Sequence, residues 1–342
     1  MTNVLPEISD DVNQYINLDE LTTLSTVSTN TFFPGLNNMA YYRFIPKENG
    51  EEIIKILMKF GNDEKVRLSD IKGSANVNTT NKFGDTPLHQ AAGKDNIKIV
   101  KLLIKEGADV NATNINEETP LYLAARANYI GIVKLLIKRG ANVDAANKFG
   151  WTALQWTVGR SNHIEMTELL IKEGADVNLA DEEEFTPLHS ASRWNNIEMV
   201  KLLIKEGDNN YESSSHNCSP WRTIADVNAI SNNGVTSLHW AARNNNIEMV
   251  KLLIHAEKTS RGVSPYNCSL WRTMANVNVP NIYGDTPLHW AIDKNNIDMV
   301  ELLIKEGANV NASNNRRDTP LHRAFEKNNT KMIKLLEEAG AR

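Results

Sequence analysis

Two short amphipathic patterns alternate along the chain from residue 75 to its end. The first opens on Thr-Pro-Leu-His or a close variant and continues into small residues, typically an Ala pair. Thr is a strong N-cap, and Pro in the next position has no amide proton to waste in a first helical turn. The second pattern, as in Ile97–Ala112 and Ile297–Ala312, spaces Ile or Val and paired Leu three and four apart, with Lys and Glu between them. That spacing predicts a helix with one buried and one solvated face. Gly107, Gly140, Gly174, Gly207 and Gly307 follow these helices, where a left-handed C-terminal cap favours glycine. An extended Ala-Asp/Asn-Val-Asn segment comes next, and a tip such as Asn81–Asp85 turns the chain back to the next Thr.

The two patterns recur as a unit. TPLH stands at Thr86–His89, Thr186–His189, Thr286–His289 and Thr319–His322, with variants at Thr119–Tyr122, Thr152–Gln155 and Thr236–His239. Successive Thr positions differ by 33, 33, 34, 50, 50 and 33. These motifs resemble the ankyrin repeat over residues 75–342, which hold seven units once the extra residues of the long steps are set aside. The resemblance implies an all-α solenoid, each repeat a helix-turn-helix plus a β-hairpin that buries its apolar side by stacking on the next. Lys331, Lys334, Glu337 and Glu338 on the last helix suit a solvated end cap.

Composition changes this picture in one respect: 43 of the 342 residues are Asn. Much of this excess falls in the Val-Asn slots, at the tips and in helix–helix turns such as Asn195–Asn196 and Asn244–Asn246, where Asn tolerates left-handed backbone and bonds its own chain. Five of the eight His (His89, His189, His239, His289, His322) hold the fourth motif position. The family resemblance implies that they bond locally to backbone and to the motif Thr. Copies on adjacent repeats, about 10 Å apart, are too distant to share a metal. His163, His216 and His255 have no ligand-spaced partner, and no phosphate loop, nucleophile elbow or paired-carboxylate motif is present. No enzyme activity, cofactor or metal is expected. Asp181–Glu184 reads as a solvated or partner-facing acidic tip.

The net charge of −5 makes the chain a poor phosphate-backbone binder, so nucleic acid is not an expected partner. Two cysteines, Cys218 and Cys268, exclude a disulfide framework. No apolar run is long enough to insert into a membrane, and the first residues lack a signal-peptide pattern, which predicts a cytoplasmic location and leaves the Asn-Cys-Ser sequences without a glycosylation role. A monomer is expected.

Related insertions fill the two long steps, at 208–224 and 258–274. They share Asn-Cys-Ser-x-Trp-Arg-Thr, which points to duplication of a whole repeat with its loop. Trp221 and Trp271 either anchor these loops on neighbouring repeats or serve as exposed binding residues. The family's concave face is made by tips and first helices. Mapped onto this chain, it picks out Trp156, Trp240 and Trp290, just after the motif's fourth residue, and Arg126, Arg193 and Arg243 a turn further on, with Trp194 beside Arg193. Phe83, Phe149, Trp151, Phe185 and Tyr283 lie at the hairpin tips. Trp and Arg dominate interface hot spots, so this strip is the expected site for a target protein, although packing of the same aromatics on adjacent repeats is the competing role.

Residues 1–47 break the period. Glu51–Gly61 reads like another second helix, which predicts a degenerate capping repeat and insertion over 48–74. Before it, Leu5–Phe33 is similar to an F-box: Leu5-Pro6, then Ile8, Val12, Tyr15 and Ile16, then Leu21, Leu24, Val27 and Ser28. One residue is missing between Pro6 and Glu7, and the expected aromatic after Val-Ser is displaced to Phe32 or Phe33. The resemblance implies short helices that dock a Skp-type adaptor of a cullin–RING ubiquitin ligase through Leu5, Pro6, Ile8, Val12, Ile16, Leu21, Leu24 and Val27. The combination resembles ankyrin/F-box effectors of intracellular bacteria, which act in the host cell cytosol. The alternative is a plain ankyrin binding or inhibitor protein whose first 47 residues form a helical cap.

Overall fold

The computed structural model describes residues 77–204, 224–255 and 274–342. The F-box-like segment over 1–47, the capping repeat over 48–74 and the insertions over 208–224 and 258–274, apart from Ile224 and Met274, lie outside the described residues. Among those described, fourteen helices run in pairs. They are α1 (Pro87–Ala92) and α2 (Ile97–Lys105), α3 (Pro120–Arg126) and α4 (Ile130–Lys138), α5 (Ala153–Val158) and α6 (Ile164–Lys172), and α7 (Pro187–Arg193) and α8 (Ile197–Ile204). The chain continues with α9 (Ser237–Arg243) and α10 (Ile247–Ile254), α11 (Pro287–Asp293) and α12 (Ile297–Lys305), and α13 (Pro320–Glu326) and α14 (Thr330–Glu338). First helices pack on first helices and second on second, so each repeat adds one column to a two-layer stack.

The motif chemistry sets the helix ends. Thr119 Oγ1 accepts the Tyr122 amide at 3.1 Å, and Thr152 Oγ1 the Gln155 amide at 3.2 Å. Five second helices start on an Asn whose Oδ1 accepts the third amide, as Asn96 does from Ile99 at 3.1 Å and Asn246 from Met249 at 2.9 Å, while α4 and α6 start on Tyr129 and His163 without a side-chain cap. Helices α2, α4, α6, α12 and α14 lead into a Gly with φ near +90°, and after α2 the Ala108 N–H closes on the Leu103 carbonyl at 2.9 Å. Leu88, Leu121, Leu154, Leu188, Leu238 and Leu288 from the first helices are buried together with Val100, Val133, Val200, Val250 and Val300 from the second. Burying one such side chain is worth roughly 1.5–3 kcal/mol. Only a neighbouring repeat can cover both faces of this layer. Lys331, Lys334, Glu337 and Glu338 are exposed on α14.

The expected β-hairpins are tight turns instead, with no β-strand among the described residues. Adjacent tips share a single backbone bond, such as Ile115 N–H to Phe83 O at 3.1 Å and Asn315 N–H to Tyr283 O at 2.9 Å. Side chains take over the work of a ladder. At six of the described tips an Asx oxygen holds two amides; Asn281 Oδ1, for example, accepts from Tyr283 and Asp285, both at 2.9 Å, while at the tip before Thr236 Ser231 Oγ accepts the Val235 amide at 3.2 Å. Tips also approach closely: a Cβ on Gly150, where φ is +76°, would stand 2.8 Å from Glu182 N in the next repeat.

A second set of asparagines links repeat to repeat along the turn edge. Asn78 Nδ2 donates to Gly107 O at 3.2 Å while its Oδ1 accepts Asp109 N–H at 2.9 Å. The same two-way bridge is made by Asn111, Asn178, Asn228, Asn278 and Asn311. Asn178 and Asn228 reach Ile224 O and Met274 O, so the edge stays in register across both insertions. One position differs. Asp144 accepts the Asp176 amide at 2.9 Å, but a carboxylate has no proton for the carbonyl that should complete the bridge. Burial raises its pKa above the ordinary carboxylate value, and the Asp176 charge adds to that.

The motif histidines also cross between repeats. Thr86 N–H donates to His89 Nδ1 at 3.1 Å, which leaves the proton on Nε2 to donate to Glu118 O at 2.9 Å. His189, His239 and His289 repeat this with Val235 O, Asp285 O and Asp318 O. Gln155 reproduces it without a titratable group: Oε1 accepts Thr152 N–H at 2.8 Å and Nε2 donates to Phe185 O at 2.9 Å. Burial lowers the pKa of His189 and His239 to about 4, so both are neutral at pH 7.

Candidate functional site

First helices carry their third and fourth motif residues inward, and the next residue emerges on the face they share with the tips. Trp156, Trp240 and Trp290 are half-buried there, and the tryptophans of adjacent repeats α9 and α11 meet edge to face, with centroids 5.5 Å apart and planes at 84°. Arg193 stands 5.3 Å from the Trp240 ring and 5.9 Å from Trp194, and Arg243 stands 5.3 Å from Trp240 and 5.7 Å from Trp290. Trp156 is flanked by Arg126 at 6.0 Å and Arg160 at 5.0 Å. Trp194, 60% exposed, closes the gap between the groups by lying on Gly159, where a Cβ would be 3.2 Å from its Cδ1. The result is one strip of alternating indole and guanidinium groups from Arg126 to Trp290.

Its charges are distributed unevenly. Arg126 donates to Glu118 at 2.9 Å, and Arg323, beyond the other end, is held by Asp285 at 2.6 Å and by Asp293. Arg160, Arg193 and Arg243 have no carboxylate partner among the described residues; each rests on tryptophan instead. A cleft of about 480 Å³ opens at the N-terminal end of the strip, lined by Gln90, Arg126, Trp156, Arg160 and His163 among others. His163 has partners on both ring nitrogens. It bonds Asn162 Oδ1 at 2.8 Å and Arg126 O at 3.3 Å, and burial lowers its pKa.

Most of the expected site residues fall on this face. Phe83, Phe149 and Tyr283 are exposed at tips, and Lys82 and Lys148 lie over the first two rings at 4.9 and 5.0 Å. Trp151 is half-buried, its ring 5.9 Å from Trp156. Phe185 is a correction: it is only 8% exposed and packs on His189 and Trp240, so it offers no surface. It directly precedes its Thr, in register with the buried Val235, whereas Phe83, Phe149 and Tyr283 stand three residues before theirs. Sequence reasoning missed Arg160, one residue beyond the slot of Arg193, and the exposed tip residues Ile115 and Ile282. The adaptor-docking residues from Leu5 to Val27 lie outside the described residues.

Among the described residues no group of three or more His, Cys, Asp or Glu could hold a metal ion, and no helix is long and apolar enough to cross a membrane. Comparison with known families matches residues 45–147, 140–214 and 266–342 to ankyrin repeats and residues 233–261 to a single ankyrin repeat. No curated protein matches the chain.

Proposed function

The chain belongs to the ankyrin-repeat family, a class of protein-interaction modules, and from that premise we propose that it recruits a target protein on the strip from Arg126 to Trp290. One observation carries this reading: four tryptophans and four arginines from successive repeats form a continuous surface. The repeats do not need it to stack, since Gln90 and Leu123 fill the tryptophan slot elsewhere. Indoles and guanidiniums supply large contact area with few rotatable bonds left to fix. Affinity capture with the wild type and with Trp240→Ala/Trp290→Ala tests it. Retention of the same captured proteins by a well-folded double variant would exclude the strip.

The finer reading is an adaptor that brings the captured protein to a ubiquitin ligase through the F-box-like segment. Its support is the order of Leu5-Pro6, Ile8, Val12, Ile16, Leu21, Leu24 and Val27 in the sequence. No chemistry is required of the chain itself, because tethering raises the effective concentration of target beside the ligase. Co-purification with a Skp-type adaptor, abolished by Leu5→Ala/Pro6→Ala, is the expected result. Target capture without adaptor binding leaves a plain ankyrin binding protein.

A further inference from the structure

We propose that the ligand of this strip is an extended acidic segment of the target protein, its carboxylates meeting Arg160, Arg193 and Arg243 in turn. The inference rests on the strip being the capture surface and adds the chemistry of what it captures. The first guanidinium of the strip is neutralised from within, by Glu118 on Arg126, and so is the one just beyond its other end, by Asp285 and Asp293 on Arg323. The middle is not: its three guanidiniums rest on indoles and form no ion pair among the described residues. Stacked guanidiniums keep their edge N–H groups free while their planes are held, so they are pre-organised for bidentate carboxylate recognition. Less side-chain entropy is then lost on binding.

Repeat spacing sets the ligand's period. Packed helices lie about 8–10 Å apart, and a polyproline-type chain rises about 3.1 Å per residue with three residues per turn. An acidic residue at every third position therefore presents one carboxylate per repeat on one side of the peptide, and the residues between meet the indole edges. Single-stranded nucleic acid also uses Arg and aromatic groups, but base stacking needs open ring faces. Here Trp156 and Trp240 each have two guanidiniums over the ring, and the chain as a whole carries −5.

The test uses labelled peptides of about fifteen residues repeating Glu-Pro-Leu or Gln-Pro-Leu, titrated against the full chain by fluorescence anisotropy. The Glu peptide should bind at least about tenfold more tightly than the Gln peptide, and the difference should shrink with added salt. Arg160→Gln/Arg193→Gln/Arg243→Gln should reduce the Glu peptide to the Gln level with an unchanged circular-dichroism spectrum; Arg193→Gln alone, as a milder variant, should remove part of the difference. Equal affinities, no binding of either peptide, or a preference that survives the triple variant overturns the proposal. So does tighter binding of a single-stranded RNA oligomer of equal charge. Loss of target capture in Trp240→Ala/Trp290→Ala alongside equal peptide affinities means that only the acidic ligand is wrong. Undiminished capture by that variant removes the site itself.

Discussion

Along the turn edge the same residue recurs at every step: Asn78, Asn111, Asn178, Asn228, Asn278 and Asn311, with Asp144 the one departure. On the first-helix face the slot after the fourth motif residue reads Gln90, Leu123, Trp156, Ser190, Trp240, Trp290 and Arg323. The physical demand differs. An edge asparagine must donate to a carbonyl and accept an amide of the next repeat, and both partners are backbone. That demand is identical at each junction, so the answer repeats. First-helix slot residues face no such repeated backbone pair, and Gln, Leu, Trp, Ser and Arg all occupy the slot. Uniformity marks what the stack needs; a run of Trp and Arg that stacking does not require marks what has been added to it.

Acid should damage the uniform positions most. Unfolded imidazoles titrate near 6.5, whereas His189 and His239 do so near 4 in the fold. The unfolded chain therefore binds protons first, and the stability they contribute is whole above about pH 6.5 and lost as pH falls toward 4. Between pH 7 and 5 each should cost on the order of 2 kcal/mol, read as a drop in the urea midpoint. His189→Gln/His239→Gln, copying Gln155, should keep neutral stability within about 1 kcal/mol and flatten the acid loss. A steep loss in that variant would assign the effect to other groups.

Gly150→Ala should cost about 2 kcal/mol, since it adds left-handed strain to a clash with the Glu182 amide. Asp144→Asn works in the other direction. By restoring the missing donor it should stabilise the protein by about 1 kcal/mol near pH 7. The advantage should shrink as acid protonates Asp144, because its folded pKa lies above the ordinary value. The smallest change is expected from Arg193→Gln. Less than about 1 kcal/mol of stability should be lost with two exposed cation–π contacts, while peptide or target affinity falls. A large stability loss there would erase the distinction between the two faces.

Helices, caps and turn chemistry were legible because each repeat restates them with small variations. The turns that stand where hairpins were expected were not, because Asx side chains replace strand pairing and the sequence signal of both is the same Asn and Gly. Within the strip, slot arithmetic located Arg193 and Arg243. The seat of Trp194 on Gly159 depends on a neighbour in the next repeat and has no local signature, whereas Arg160, four residues from Trp156, stands one residue outside the slot shared by Arg193 and Arg243. Phe185 was legible in principle: counted from its Thr, it belongs with Val235, not with the tip aromatics.

The histidine and asparagine bridges end on main-chain carbonyls, which every residue type provides. A unit copied to a new place thus finds its acceptors ready, with no second substitution in its neighbour. Copy number can change by whole units while each surviving joint keeps its bonds. The length of the array can thus be extended or trimmed by whole repeats without rebuilding its joints.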